Sequence, residues 1–358
     1  MTTQKPVPFS PDAERVSDDE QQTIAELNES LDFILEKTHE DYGHAVRAVH
    51  AKAHGVLKGS FEVSRGLPPE FAQGLFAEAG SHAAIVRLST NAGDILDDSV
   101  SLPRGLALKV LGVHGERLPG APGDTQDFVM VNGPVFPARD SRKFAGSLKL
   151  LAKTTDKAEG SKIVLSKVLQ AVNTTLGAVG IEGKVFGGLG GAPQVHPLGE
   201  TYFSVTPFRY GDFIAKFRLR PLNAVLTALT GAHIDTKDRP NAIRETVRED
   251  MAYIDGQWAF EVQLCRDLEK QPVEDPTVQW KEEDAPFVQV ATLRLPHQDS
   301  WDEKRVRWVN DETRFSVWTG LAAHQPLGNI NRARRETYQH SADFRAAANR
   351  CPVYEPRD

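Results

Sequence analysis

The sequence predicts an α+β protein built on an antiparallel sheet with helices around it. Strand-like runs come in two clusters and do not alternate one for one with helices, an order that favours antiparallel pairing over βαβ units. Helical periodicity occurs before, between and after these clusters. With 358 residues, the chain could form one large domain or two ordinary ones.

The first helix is predicted from about Asp18 to about Glu40. Ser17 and Glu20 have the spacing of a capping box, which marks the beginning of a helix. The apolar residues that then recur at helical spacing are Ile24, Leu27, Leu31 and Ile34. We therefore expect residues 1–17 to form a polar N-terminal arm.

A first group of strands follows this helix, with Gly, Pro and Asp turns between its members. The strand-like runs are residues 56–63, 83–89, 105–112 and 127–132. Helical periodicity then returns at residues 141–153 and near residues 162–176.

A glycine-rich stretch at residues 177–193 interrupts regular structure. It lacks the Gly-Lys-Ser/Thr ending of a Walker loop and the strand–GxGxxG–helix context of a dinucleotide site. We interpret it as a connecting loop without a phosphate-binding role.

A second group of strands and two helices complete the chain. The predicted strands are residues 202–211, 212–221, 257–265 and 287–295. The predicted helices run from about Ala242 to about Tyr253 and from about Ile330 to about Asn349.

Composition excludes several classes of function. The net charge is -7, from 42 basic and 49 acidic residues, so the chain has no basic footprint for nucleic acid. No apolar run is long enough to span a bilayer and the N-terminus does not read as a secretory signal, so we expect a cytoplasmic protein. Cys265 and Cys351 are far apart in sequence, and we interpret both as free thiols.

Two local patterns carry candidate chemistry. Arg334 and Tyr338 are four residues apart on the last helix and share one face, where the guanidinium would favour the phenolate form of the tyrosine. Arg47, His50 and His54 lie between the first helix and the first strand. A zinc site there would lack the HExxH glutamate and a third ligand, and a buried histidine bonded to backbone remains the alternative.

Five segments together resemble the core of catalases, over about residues 40 to 350. They are "RAVHAKAHG", "VRLSTNAGD", "PRGLALKV", "DFVMVNGPVF" and "RARRETY", in the order and rough spacing of that family. The chain length is similar to that of compact catalase-related haem peroxidases. The resemblance implies an antiparallel β-barrel of catalase type surrounded by helices, a single haem domain over residues 18–358, and haem between the barrel and the C-terminal helix.

The resemblance also implies roles for individual residues around haem b (iron protoporphyrin IX). Tyr338 matches the axial ligand of the iron, the haem ligation expected of catalases, and Arg334 matches the arginine that keeps it deprotonated. His50 matches the distal histidine that moves a proton between the peroxide oxygens, and Ser89 matches the hydroxyl that orients it.

Further matches concern the porphyrin itself. Arg47, Arg87 and Arg345 match the arginines that pair with the haem propionates, a task suited to guanidinium geometry. The apolar residues that match those packed on or around the porphyrin are Val49, Phe136 and Phe144.

Two positions in the substrate channel depart from the family pattern. Val131, followed by Asn132, stands where catalases place a distal asparagine, and Leu102 stands where they usually carry an acidic residue. A second hydrogen peroxide would be held poorly beside Val131. We therefore expect weak dismutation of hydrogen peroxide and better peroxidase turnover, with organic hydroperoxides accepted.

These implications define the expected partners and the alternatives. A peroxide substrate, a small-molecule electron donor and a role in oxidative stress are expected, and a homo-oligomer is left open. The alternatives are rearrangement of fatty-acid hydroperoxides, as in allene oxide synthases, a true catalase, a haem carrier without turnover, and a metal-free β-barrel binding module. No residues here indicate NADPH binding.

Overall fold

The computed structural model describes residues 4–156 and 194–356. In these residues the α-helices are α1 Glu20–Tyr42, α2 Ser141–Asp156, α3 Ala224–Thr227, α4 Ala242–Met251, α5 Glu303–Arg307 and α6 Asn329–Ala348. The strands are β1 Ala53–Val63, β2 Ser81–Thr90, β3 Arg104–Val110, β4 Gln126–Val131, β5 Tyr202–Phe203, β6 Phe208–Tyr210, β7 Phe213–Pro221, β8 Gly256–Leu264 and β9 Phe287–Leu295. The helix predicted near residues 162–176 and the glycine-rich stretch at 177–193 lie outside the described residues.

The strands form a closed antiparallel barrel. Their order is β5-β4-β3-β2-β1-β9-β8-β7-β6, and an additional pairing between β5 and β7 joins the two ends. Eight strands thus form the ring. The ninth, β6, pairs with the first residues of β7, while β5 pairs with later residues of that strand. The predicted antiparallel barrel surrounded by helices is confirmed.

The run at residues 202–211, predicted as one strand, is broken into β5 and β6. Val205 between them has a φ of 55°, a left-handed conformation that a β-branched residue rarely adopts. The hydroxyl of Ser204 donates to the carbonyl of Thr206 at 3.0 Å, and the hydroxyl of Thr206 donates back to Ser204 at 3.1 Å. These local bonds replace ladder bonds and turn the backbone.

The barrel interior is filled by aromatic side chains. Phe128 of β4 lies with its ring centroid 4.7 Å from that of Phe260 of β8, although these strands are not neighbours in the sheet. Phe61 of β1 meets Phe260 edge to face at 5.2 Å. All three rings are buried, so the barrel is a packed core whose outer wall can serve as a rigid support.

Three helices pack together outside the barrel. Ile24 and Leu27 of α1 form an apolar cluster with Ala145 of α2 and Ala333 of α6. The predicted capping box of α1 is wrong: Asp19 occupies the N-cap and makes no side-chain cap bond. The carboxylate of Glu20 instead binds Arg332 of α6 at 2.7 Å.

Candidate functional site

A cavity of about 550 Å³ lies between the outer wall of β2, β3 and β4 and the helices α1, α2 and α6. The predicted site residues that line it are Arg47, Val49, His50, Arg87, Ser89, Val131, Phe136, Phe144, Arg334, Tyr338 and Arg345. Leu102 does not line it; this buried side chain packs with Ala92 and Leu96. The structure therefore brings together groups from opposite ends of the chain.

His50 sits in a strained backbone conformation on the loop between α1 and β1. Its φ is 55°, in the left-handed region, where a non-glycine residue costs about 1–3 kcal/mol. The flanking Ala51 N–H donates to the carbonyl of Ala92 at 2.9 Å. Surrounding contacts thus fix the backbone that carries the imidazole.

The backbone of β3 lies directly against the His50 ring. A Cβ built on Gly105 would stand 2.4 Å from Cε1 and 2.6 Å from Nδ1 of His50. Such distances are far below van der Waals contact, so only glycine at position 105 leaves room for the ring in this place.

The imidazole is held neutral with one nitrogen unbonded. Nδ1 lies 3.1 Å from the hydroxyl of Ser89, while Nε2 has no hydrogen-bond partner among the described residues. Burial lowers the pKa of His50 from 6.5 to about 3. The charges that add to this lowering of the pKa are those of Arg87, Arg334 and Arg47. At neutral pH the group is therefore a base.

Tyr338 lies under the guanidinium of Arg334, as the helical spacing predicts. Nε and Nη2 of Arg334 donate to the phenol oxygen at 3.1 and 3.0 Å. Nη1 donates to Oδ1 of Asn331 at 3.2 Å, and the fully buried Asn331 amide donates to the carbonyl of Pro207 at 3.0 Å. The phenol oxygen thus accepts two hydrogen bonds from one guanidinium group.

Three arginines converge at one end of the cavity. Their partners come mainly from a single π-helical turn, Trp308–Glu312, and from Thr313 behind it. Nη2 of Arg47 donates to Val309 O at 2.7 Å and to Thr313 O at 2.9 Å. Each of these partners is a neutral carbonyl.

The other two arginines share Asn310 of the same turn. Nε of Arg87 donates to its side-chain oxygen at 2.9 Å, and Nη1 of Arg345 donates to its backbone oxygen at 2.5 Å. Burial, together with repulsion by Arg345, lowers the pKa of Arg87 to about 9. Burial lowers the pKa of Arg345 to about 10.

This arginine cluster, Arg47, Arg87 and Arg345, carries uncompensated positive charge. Among the described residues no carboxylate forms an ion pair with any of the three. The buried Nε atoms of Arg47 and Arg345 have no hydrogen-bond partner there. Buried positive charges without a paired carboxylate are costly, so this arrangement is suited to binding carboxylate oxygens.

The side-chain amide of Asn132, next to Val131, already makes hydrogen bonds within the protein. Asn132 accepts a bond from the backbone N–H of Arg104 at 2.8 Å and donates to Glu200 at 2.7 Å. Val131 itself brings only an apolar side chain to the cavity wall. This wall is therefore poorly equipped to hydrogen-bond a small polar molecule.

Sequence reasoning missed several residues of the site. Asn331 stands three residues before Arg334 on the same helical face, a signal that could have identified it. Gly105, Asn310 and Arg314 had no such signal, because each acts through a tertiary contact between distant segments.

Both the sequence and the fold are similar to those of known catalases. A sequence model of the catalase family matches residues 12–176. The fold is similar to that of a fungal catalase, with a TM-score of 0.63, 17% identity, and coverage of 89% of this chain and 65% of that chain. Residues 12–176 of this chain thus resemble the catalase family, and its fold is that of catalases.

Two further catalases share the fold. Catalase A from Saccharomyces cerevisiae matches with a TM-score of 0.58 and 16% identity, over 90% of this chain and 67% of that chain. A bacterial catalase matches with a TM-score of 0.61 and 17% identity, over 99% of this chain and 66% of that chain. This chain thus spans about two thirds of the length of these catalases. No curated protein matches the sequence.

In catalases a tyrosine is the axial ligand of the haem iron. Within residues 4–156 and 194–356, no three His, Cys, Asp or Glu side chains are grouped to hold a metal ion directly. None of the helices there is both long and apolar enough to cross a bilayer.

Proposed function

We propose that this protein is a haem-dependent peroxidase that reduces hydrogen peroxide and organic hydroperoxides with an external small-molecule electron donor. The observation that carries the proposal is one cavity lined by Tyr338 under Arg334, by a neutral His50, and by the arginine cluster. The match of residues 12–176 to the catalase family model, together with the shared fold, supports peroxide as the substrate class.

The residues present fit haem b. Haem is a flat apolar ring with propionate carboxylates on one edge, and the cavity combines apolar walls with the carboxylate-free arginine cluster. The aromatic pair Phe136 and Phe144, whose ring centroids are 5.2 Å apart, belongs to the apolar lining. Tyr338 would bind the iron, which when present supplies the redox chemistry that breaks the peroxide O–O bond.

His50 would act as the acid–base group. Its unbonded Nε2 can take the proton of an incoming hydroperoxide because the imidazole is neutral. The same nitrogen can return this proton to the departing oxygen, which leaves as water or an alcohol. Ser89 keeps Nδ1 bonded throughout, so the ring stays oriented during both transfers.

The apolar cavity wall at Val131 favours peroxidase turnover and disfavours dismutation of hydrogen peroxide. Dismutation needs a second hydrogen peroxide held beside the reactive centre, and Val131 offers it no hydrogen bond. Asn132 does not compensate, since its amide is bonded to Arg104 and Glu200. Leu102 is an apolar residue where the family usually has an acidic one. Its effect, a less polar path for peroxide towards the iron, remains a prediction.

Comparing donor oxidation with oxygen release tests this proposal. Haem-loaded protein should consume an external donor in step with hydrogen peroxide or cumene hydroperoxide, with little oxygen evolved. A Val131→Asn variant should raise oxygen release relative to donor oxidation. Oxygen evolution near the diffusion ceiling, about 10⁸ M⁻¹s⁻¹ or more in kcat/KM, would contradict the proposal. Isomerisation of a fatty-acid hydroperoxide without donor consumption would assign the protein to hydroperoxide rearrangement.

A further inference from the structure

The C-terminal segment Cys351–Pro356 is attached to the outside of the turn that orients the arginine cluster. The backbone N–H of Tyr354 donates to the carbonyl of Glu312 at 2.9 Å. Its hydroxyl donates to the carboxylate of the same residue at 2.8 Å. Glu312 is the last residue of the π-helical turn, so this segment is hydrogen-bonded to the turn that holds the arginine cluster.

The next residue, Glu355, enters a buried ionic network. Its side chain is 4% exposed and accepts bonds from Lys109 of β3, from the hydroxyl of Thr125 at 3.0 Å, and from Nε of Arg314 at 3.3 Å. Lys109 also pairs with Asp127 at 2.7 Å, and both of these side chains are fully buried. The network contains equal numbers of cations and carboxylates, so each carboxylate is needed for its balance.

Arg314 connects this network to the cavity. It lines the cavity wall, and the bonds of its side chain are to Glu355 and to Gln339, the residue after Tyr338. Without the carboxylate of Glu355, Arg314 would keep only the neutral side-chain amide of Gln339 as its partner. The place of this side chain therefore depends on the docked C-terminal segment.

We propose that Glu355 is a positioning residue, and that the segment Cys351–Pro356 is a clasp whose docking is coupled to occupancy of the cavity. The proposal rests on the proposed function in that the occupant is haem. Because coupling between two equilibria is reciprocal, the docked clasp strengthens haem binding and bound haem holds the clasp in place.

Haem affinity of the apoprotein tests whether the docked clasp strengthens haem binding. Glu355→Gln keeps the shape of the side chain but removes its charge, and it should weaken haem binding by about tenfold. The matched control is Glu261→Gln, another buried carboxylate, bonded to Arg218 and Arg220 at the opposite side of the barrel. Thermal unfolding of both apoproteins gives the loss of stability, which both variants should share.

The outcomes separate the two proposals. Haem affinity that is unchanged in Glu355→Gln, or lowered equally in Glu261→Gln, would overturn the clasp and leave the proposed function standing. A wild-type apoprotein that binds no haem would overturn both.

Hydrogen exchange in the unmodified protein tests whether bound haem holds the clasp in place, and this test does not depend on the folding of any variant. The amide of Tyr354 should exchange about tenfold more slowly in haem-loaded protein than in apoprotein. Equal exchange of this amide in the two forms would overturn the coupling.

Discussion

At the scale of single residues, the position of His50 is enforced from several sides. Its backbone is left-handed, Gly105 lies against the face of its ring, and Ser89 bonds Nδ1. Strain of this kind persists only where the surrounding structure determines it, and it concentrates at functional sites. The motif around His50 predicted a functional histidine, but neither the strain nor the contact with Gly105 follows from local sequence, because β3 approaches only in the folded barrel.

Gly105→Ala should displace the His50 ring. The added Cβ would meet Cε1 at 2.4 Å, so the imidazole must move away from its bond with Ser89. We expect the rate constant for reaction with peroxide to fall by about 100-fold, the lower end of what acid–base catalysis contributes. The control is Gly146→Ala, where a Cβ meets nothing within 4 Å. Stopped-flow kinetics with unchanged rates in Gly105→Ala would refute this placement of the ring.

The depressed pKa of His50 gives a pH dependence with a definite sign. In the apoprotein the imidazole should stay neutral until the pH approaches about 3, whereas an unfolded histidine protonates near 6.5. Between these values the unfolded state binds more protons, so this group lowers stability as the pH falls from about 6.5 towards about 3. NMR of the imidazole would check this. Titration of His50 near its ordinary pKa would count against a buried, arginine-surrounded base.

At the scale of elements, the sequence predicted helices and strands well where periodicity was strong. The helix predicted at Ile330–Asn349 is α6 Asn329–Ala348, and the strand predicted at residues 287–295 is β9. The break between β5 and β6 and the π-helical turn Trp308–Glu312 were not predictable. The break rests on a left-handed Val205, a conformation that a β-branched residue does not suggest. The π-helical turn is bonded to arginines from distant segments, which a local pattern does not contain.

The π-helical turn should matter for binding more than for folding. Asn310→Ala removes the acceptor of Arg87 Nε but keeps the backbone oxygen that Arg345 uses. Loss of one such bond is worth about 1–2 kcal/mol, so haem affinity should fall about 5- to 30-fold. Asn223→Ala, in an exposed turn bonded to Asp255, serves as the control. If both variants bind haem as the parent does, the turn does not orient the arginine cluster.

At the scale of the whole molecule, the cavity exists only when the barrel and the outer helices are assembled. One wall is the outside of β2, β3 and β4, and the other comes from α1, α2 and α6. The order of strands and helices was predictable from the sequence. Closure through β5 was not, since β5 pairs with β7 over only Tyr202–Leu219 and Phe203–Arg218, and the expectation of a barrel came from the family resemblance.

Occupancy of this cavity should therefore stabilise the whole fold. A ligand that binds only the folded state at a free concentration of 100 Kd raises the free energy of unfolding by about 2.7 kcal/mol. We expect haem to raise the midpoint of thermal unfolding accordingly, as calorimetry would show. An unchanged midpoint at saturating haem would mean that the cavity is not its binding site.

The most direct measurement is the absorption spectrum of the haem-loaded protein beside that of Tyr338→Phe. The variant removes only the phenol oxygen that faces Arg334. We expect a Soret band with tyrosinate-type ferric features in the parent, and loss of those features in the variant. Identical spectra for the two proteins would contradict the assignment of Tyr338 as the iron ligand.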